Sequence, residues 1–351
     1  MIIFRLLLSP LSLIYQLVLR FRNFLYDSGL FGITFFDIPT ISVGNLAFGG
    51  TGKTPHIEYL IRLLKDHFEV AVLSRGYKRK TTGYVFANFQ SSADTIGDEP
   101  MQMYTKFKSV PVAVAENRVL GLPDLLYDAP ETQVILLDDA YQHRAIKPGI
   151  NILLTEYKNR FTQDFLAPAG MLREYRAAYI RADIIIVSKC NPDLTMEERE
   201  KIRAEIKPYP HQKVYFSYLK FGALTGLYEP IAYRKPGEAL VFAGIANPQS
   251  LVAEIKTRIE KVQLKKYPDH YNYKWKDIEE LVYLYNQISG SDKIIITTEK
   301  DKTKLMTPEI KEVLGKFPIF YLPIEVAFFN EDQEPFNKQI IDYVAKHSAN
   351  H

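Results

Sequence analysis

Between residues 38 and 187 the chain repeats one pattern. A short run of β-branched and aliphatic residues is followed by a polar break, then by a stretch with apolar positions at helical spacing. The apolar runs fall at 38–43, 70–73, 134–137, 150–154 and 184–187, each bounded by Gly, Asp, Asn or Pro, and they predict buried strands. Helices are predicted between them at 55–64, 100–106, 118–126 and 173–179. Continuous apolar strands separated by helices indicate an α/β fold, with a mostly parallel sheet covered on both faces. A looser segment, 207–235, contains several Pro, Gly and Tyr residues. A second α/β set is predicted at 239–243, 251–261, 275–288, 293–298 and 317–322, with a closing helix at 337–346. The expected organisation is a nucleotide-binding domain over 31–210, a linker with paired strands over 211–235, and a smaller α/β domain over 236–351 that closes a cleft.

The first thirty residues break this pattern. Residues 6–19 carry no charge, yet the run is shorter than the ~20 residues needed to span a bilayer. No small-x-small cleavage site follows it, which argues against a signal peptide. Ser9 as N-cap, Pro10 at the first helical position and Gly29 past the last turn predict a helix. On it Leu11, Ile14, Tyr15, Val18, Leu25 and Tyr26 form an apolar face, while Ser12, Gln16, Arg20, Asn23 and Asp27 form a narrow polar stripe. Arg5, Arg20 and Arg22 are available to anionic head groups. Such a helix either lies in a membrane interface or packs on its own domain. The first is expected, making 1–30 an interfacial membrane helix.

Composition narrows the field. With 47% hydrophobic and 24% charged residues the chain is globular. A net charge of +3 is too small to name nucleic acid as a partner, and none is expected. Cys190 is the single cysteine, so there is no internal disulfide and no cysteine-based metal cage, which favours the cytoplasm.

The strongest motif is Gly44-Asn45-Leu46-Ala47-Phe48-Gly49-Gly50-Thr51-Gly52-Lys53-Thr54-Pro55, set between a predicted strand and a predicted helix. That context is what a phosphate-binding loop needs. Gly49, Gly50, Thr51 and Gly52 let backbone N–H groups crowd around phosphate oxygens, Lys53 reaches the β- and γ-phosphates, and the Thr54 hydroxyl can ligate Mg²⁺. The first glycine of the strict pattern is replaced by Ala47. Such loops need an acidic partner for the metal, and Val134-Ile135-Leu136-Leu137-Asp138-Asp139 supplies two carboxylates at the end of an apolar run. ATP and Mg²⁺ are the expected co-substrate and ion.

Further words surround the loop in a fixed order: Ser74-Arg75-Gly76-Tyr77, Gly97-Asp98-Glu99-Pro100, Asp138-Asp139-Ala140-Tyr141-Gln142-His143-Arg144, Pro168-Ala169-Gly170-Met171-Leu172-Arg173-Glu174, Asp269-His270 and Thr298-Glu299-Lys300-Asp301. Together they resemble the tetraacyldisaccharide 4'-kinase family of lipid A biosynthesis over the whole chain. The pair Ala140-Tyr141 stands where that family usually has Gly-Phe. The resemblance implies transfer of the ATP γ-phosphate to the 4'-hydroxyl of an acylated disaccharide 1-phosphate, giving lipid IV-A. It places the enzyme on the cytoplasmic face of the bacterial inner membrane, with the N-terminal helix meeting the membrane. It implies Asp98 as proton acceptor, His270 as its partner and Asp269 beside them. Tyr77, Glu99, Arg173 and Glu174 are implied as substrate or cleft residues. Read from its residues alone, Gly-Asp-Glu-Pro is the start of a helix capped by Asp98. The run Lys78-Arg79-Lys80 faces either head groups or plain solvent, and His143 sits behind the metal carboxylates without an assigned role.

The main rival is a membrane-associated P-loop ATPase switch of the partitioning or septum-site type. That class carries a lysine before the paired glycines, where this chain has Phe48, and its membrane helix is commonly C-terminal.

Overall fold

The computed structural model describes residues 2–229, 236–290 and 292–348, with residues 2–7 and 348 described by their backbone alone. Among these residues the strands form two sheets. The first contains β1 (Thr40–Asn45), β2 (Val70–Ser74), β3 (Val85–Phe86), β4 (Val112–Val114), β5 (Val134–Asp138), β6 (Ile150–Glu156), β7 (Ile184–Ser188) and β8 (Lys213–Phe221). The second contains β9 (Thr225–Gly226), β10 (Glu238–Ala243), β11 (Lys261–Lys266), β12 (Lys293–Thr298) and β13 (Ile319–Leu322), after which β14 (Ile324–Phe328) returns to the first.

The first sheet has the order β14-β8-β7-β6-β1-β5-β2-β4-β3. From β8 to β4 every pairing is parallel, and β14 and β3 close the two edges antiparallel. The central strands are buried end to end, which is why they read as continuous apolar runs without alternation. Helix Lys53–Leu64 buries Ile57, Leu60, Ile61 and Leu64 against Ile41, Val43 and Leu136 on one face. Helix Arg118–Asp128 buries Leu122 and Leu125 on the other, against Leu73, Ile135 and Leu137. The central strand β1 lies between β5 and β6, so its loop opens where the strand order reverses, the usual ligand crevice of an open α/β sheet.

The second sheet has the order β11-β10-β12-β13-β9, parallel except for β9. Helix Trp275–Gln287 packs Ile278 and Leu281 on one side, and helix Gln249–Lys256 packs Leu251 and Ile255 on the other.

Several expectations need correction. Residues 213–221, expected in a linker, form a strand of the first sheet, parallel to β7. The predicted helix 251–261 ends at Lys256, and its last residue, Lys261, instead opens strand β11, in which Val262 and Leu264 alternate with polar residues. The closing helix runs Asn330–Ser348 and buries Phe336, Ile340 and Val344 in the core of the first sheet, not the second. The expected helix at 173–179 is a 3-10 turn at Arg176–Arg181. The expected paired strands extended to 235, and residues 230–235 lie outside the described residues.

The N-terminal helix spans Ile2–Asp27, so Ser9 is not its cap and Pro10 sits inside it. Pro10 removes one amide donor, but strong helix formers such as the leucines on either side carry the helix past it. Gly29, at φ 75°, lies just beyond its end. Its inner side is the more polar one. Ser12 Oγ donates to the Leu166 carbonyl at 3.0 Å, Tyr15 Oη to the Arg173 carbonyl at 2.9 Å, and Asn23 Nδ2 to Glu174 Oε1 at 3.0 Å. Tyr15, Leu25 and Tyr26, expected on the outer apolar face, are half-buried. The bare outer face carries Leu11, Leu13, Ile14, Leu17, Val18, Phe21 and Phe24. The Arg5 side chain lies outside the described residues. Among the described residues no helix is long and apolar enough to cross a membrane.

Candidate active site

Strand β1 delivers the chain to a glycine-rich turn, and the helix that follows begins at Lys53. Gly49 and Gly52 adopt φ of 104° and 92°, a region side chains avoid, so the turn depends on glycine at both positions. The loop is braced from three sides. Asn45 Nδ2 donates to Thr51 Oγ1 at 2.9 Å, Ser188 Oγ donates to the Thr51 carbonyl at 2.7 Å, and the Phe48 N–H donates to the Met171 carbonyl at 2.7 Å. Lys189 Nζ also donates to the Gly50 carbonyl. In the first helical turn His56 is buried between the Gly52 carbonyl (2.7 Å from Nδ1) and the Ser217 hydroxyl (3.0 Å from Nε2). A carbonyl only accepts, so Nδ1 carries the proton. Burial pushes this imidazole down to about 4.

Strand β5 is in register with β1, Asp138 opposite Val43, so its two terminal carboxylates emerge beside the loop. Asp138 is buried. One of its oxygens accepts from Ser74 Oγ at 2.9 Å, and Oδ1 has no hydrogen-bond partner among the described residues. Burial, then Glu99 and Asp139, push its carboxyl up to about 7. Asp139 receives the Arg173 guanidinium and lies 3.7 Å from Lys53 Nζ. Burial opposes its ionisation, but Lys53 and Arg173 prevail and bring it to about 2. Arg118, itself buried, donates to the carbonyls of Asp138 and Asp139 at 3.3 and 3.1 Å and so fixes the turn that carries both. Gly44, at the end of β1, admits this turn closely, since a Cβ there would meet the Tyr141 Cβ at 2.5 Å.

A second cluster joins the two sheets. Helix Asp98–Lys106 presents Asp98, whose oxygens lie 3.0 and 3.1 Å from His270 Nδ1. His270 holds a left-handed backbone at φ 58°, and Asp269 Oδ2 lies 3.8 Å from its Nε2. The Tyr77 ring stands edge-on to the imidazole at 5.2 Å. Lys304 Nζ lies 3.1 Å from Asp98 Oδ2, and Lys300 Nζ donates to Glu99 Oε1 at 3.1 Å. Burial raises the Asp98 carboxyl, but His270, Lys300 and Lys304 outweigh it and hold it far below the usual carboxylate range. Glu99 is likewise held low, with Lys300 and Lys53 overcoming its burial. Its partner Lys300 also faces the Asp98–His270 pair, 3.1 Å from His270 Nε2. A cleft of about 480 Å³ opens against that pair, with Lys78, Asp269, Lys274 and Lys304 in its walls.

The structure thus gathers Gly49–Lys53, Thr54, Asp138, Asp139 and Arg173 into one group, and Asp98, Glu99, Asp269, His270 and Tyr77 into the next. Glu174 belongs to neither. It is fully buried, bonded to Arg181 at 2.8 and 2.9 Å and to Asn23, so its carboxylate ties the N-terminal helix to the domain. His143 is pushed down to about 4 by burial and by Arg118 and Arg75, and its Nε2 has no partner among the described residues. The run 78–80 is not one basic face, for the Arg79 side chain turns inward to Glu116 at 2.5 Å while Lys80 pairs with Asp94 at 2.6 Å. Lys304 was invisible to sequence reasoning, and Lys300 appeared there only as part of a motif.

A Walker-type loop on a parallel sheet, two carboxylates at the end of the adjacent strand and a carboxylate–imidazole pair define an ATP-dependent P-loop kinase. Residues 4–345 match the family described as Tetraacyldisaccharide-1-P 4'-kinase. The chain is 42% identical to the "Tetraacyldisaccharide 4'-kinase" of Bacteroides thetaiotaomicron, the alignment covering 98% of this chain and 94% of the relative. It is 42% identical to that of Flavobacterium johnsoniae, covering 97% of each. The crystal structure of LpxK from Aquifex aeolicus in complex with ATP superimposes with a TM-score of 0.74 at 30% identity, covering 97% of this chain and 99% of that one. The chain belongs to the tetraacyldisaccharide-1-phosphate 4'-kinase family.

Proposed function

We propose that the protein transfers the γ-phosphoryl of ATP to the 4'-hydroxyl of a tetraacylated disaccharide 1-phosphate, at the cytoplasmic face of the bacterial inner membrane. The observation that carries this reading is that one molecule joins two groups: the loop with Lys53 beside Asp139, and the Asp98–His270 pair, the two tied together through Glu58 on the loop's helix, Lys106 and Glu299. Backbone N–H groups of 49–52, the helix start and Lys53 bind and orient the phosphates. Thr54, Asp138 and Asp139 are hard oxygen donors of the right kind for Mg²⁺, and the partnerless buried Oδ1 of Asp138 suits a ligand role. When bound, that ion neutralises phosphate charge.

Asp98 accepts the hydrogen bond of the attacking hydroxyl and takes its proton as the new P–O bond forms and ADP leaves. An acidic carboxylate suits this task. Phosphoryl transfer runs through a loose transition state, in which orienting the hydroxyl matters more than strong basicity. His270 holds that carboxylate in place.

The acceptor's acyl chains stay in a bilayer, and the bare outer face of the N-terminal helix supports docking there. Leu30, Phe31 and Phe35 extend the exposed apolar surface beyond its end. Labelled ATP and the disaccharide lipid, with product identification, test the reading. ATP turnover that does not depend on the lipid acceptor would instead indicate an ATPase switch.

A further inference from the structure

Lys300 lies in the short helix Glu299–Lys302 at the end of β12, in the second sheet's half of the molecule. Its ammonium is enclosed by groups from both halves. His270 Nε2 lies 3.1 Å away, Glu99 Oε1 3.1 Å, Asp269 Oδ1 3.9 Å and Asp98 Oδ2 4.0 Å. We propose that Lys300 is a positioning residue for phosphoryl transfer: it fixes the His270 imidazole with its single proton on Nδ1, directed at Asp98. This inference rests on the reading of Asp98 as the proton acceptor.

The argument follows from donor chemistry. An ammonium has three donors and no lone pair, so a hydrogen bond between Lys300 and Nε2 requires Nε2 to accept. A ring nitrogen that accepts carries no proton, and the remaining proton then lies on Nδ1. There it faces both Asp98 oxygens, at 3.0 and 3.1 Å. Asp98, an acceptor only, already calls for a proton on Nδ1, and Lys300 on the far side keeps a second proton off Nε2. Without Lys300, the ring beside that carboxylate is free to become imidazolium, losing the neutral Nδ1–H form.

Lys300 is also held where that task needs it. Its neighbour Glu299 is bound by Lys106 at 2.9 Å, and Lys106 also bonds Glu58, on the helix that starts at the phosphate loop, at 2.7 Å. The next residue, Asp301, is buried and accepts the Gly244 N–H at 3.0 Å, while the Gly244 carbonyl accepts the His270 N–H at 3.1 Å. Lys300 and His270 thus hang from one backbone point, and the P-loop helix steadies the lysine through Glu58 and Lys106.

The test uses the full-length protein with Lys300→Met, Lys300→Arg and Asp98→Asn, each checked for folding by thermal melting. Nitrogen NMR of ¹⁵N-histidine protein, assigned with His270→Gln, reads the tautomer. Lys300→Met is expected to lower kcat ~10–100-fold, a part of the ~10²–10⁴-fold available to general-base assistance. KM for ATP should change less than about twofold, and the His270 signals should lose their Nδ1–H pattern. Lys300→Arg should recover part of kcat and keep the pattern. An unchanged His270 tautomer or an unchanged kcat in Lys300→Met overturns the proposal. So does a loss confined to KM for ATP, which would make Lys300 a phosphate ligand. If Asp98→Asn itself retains full kcat, the reading of Asp98 fails first. If only Asp98→Asn loses activity, the Lys300 inference alone fails.

Discussion

Lys53 Nζ lies 3.7 Å from Asp139 Oδ1, and the same carboxylate also receives Arg173. Because Arg173 remains, removing Lys53 does not leave Asp139 unpaired. Lys53→Ala is therefore expected to keep its melting temperature within a few degrees while kcat falls at least ~10²–10³-fold, as for other lost charge-stabilising donors. Near-normal turnover in the folded variant would remove Lys53 from the phosphate site.

Asp98 and His270 form one hydrogen-bonded unit, and under the proposed mechanism their losses should not multiply. Asp98→Ala is expected to lower kcat ~10²–10⁴-fold. His270→Ala should cost less, and the double variant little more than Asp98→Ala. A double-mutant cycle on kcat, with ATP binding measured separately, checks this. Weakened ATP binding in Asp98→Ala would place that residue with the metal.

His56 gives the fold a dependence on pH. The unfolded chain takes a proton on histidine near pH 6.5, whereas the folded one waits until about 4. Between these values the unfolded state binds more protons, so stability rises with pH across the window and is lost as pH falls through it. The loss amounts to about 3 kcal/mol at most. Urea unfolding at pH 7 and pH 5 should show it, and His56→Gln should reduce the difference, leaving the share of His143, which is pushed down to about 4 in the same way.

The bare face of the N-terminal helix predicts a separation of binding from stability. Leu17 and Phe21 are 66% and 63% exposed, so replacing both by serine costs the fold little. In the proposed membrane contact each would contribute ~2 kcal/mol, roughly thirtyfold in affinity. Vesicle co-sedimentation should therefore collapse at an unchanged melting temperature. A large drop in that temperature would mean the face is covered within the protein.

The parts of the molecule legible in sequence are those where local pattern and tertiary role coincide. The apolar run 40–43, the glycines and Lys53-Thr54 form one contiguous strand–loop–helix, and Asp138-Asp139 end another buried strand. Strand β11 was hidden because it is a largely exposed edge with only two apolar residues, Val262 and Leu264, among its lysines. Strand β8 was hidden by the Pro- and Gly-containing residues around it. Lys304 gave no signal, since only the approach of the two sheets brings it to Asp98. Glu174 misled for the opposite reason: a charged residue in a motif suggests a cleft, yet its partners Arg181 and Asn23 bury it.

The return of β14 and helix Asn330–Ser348 to the first sheet sets an order on the birth of the molecule. Phe328, Phe336, Ile340 and Val344 share a core with Ile41, Ile57 and Leu60, so the first half of the chain lacks part of its own interior while it emerges from the ribosome. The whole of β9–β13 must be synthesised before that interior can close. Until then strand β8 presents an unpaired edge, open to other chains. A cell making this kinase carries that exposure for the time needed to translate about a third of the polypeptide, an interval of seconds at ordinary elongation rates.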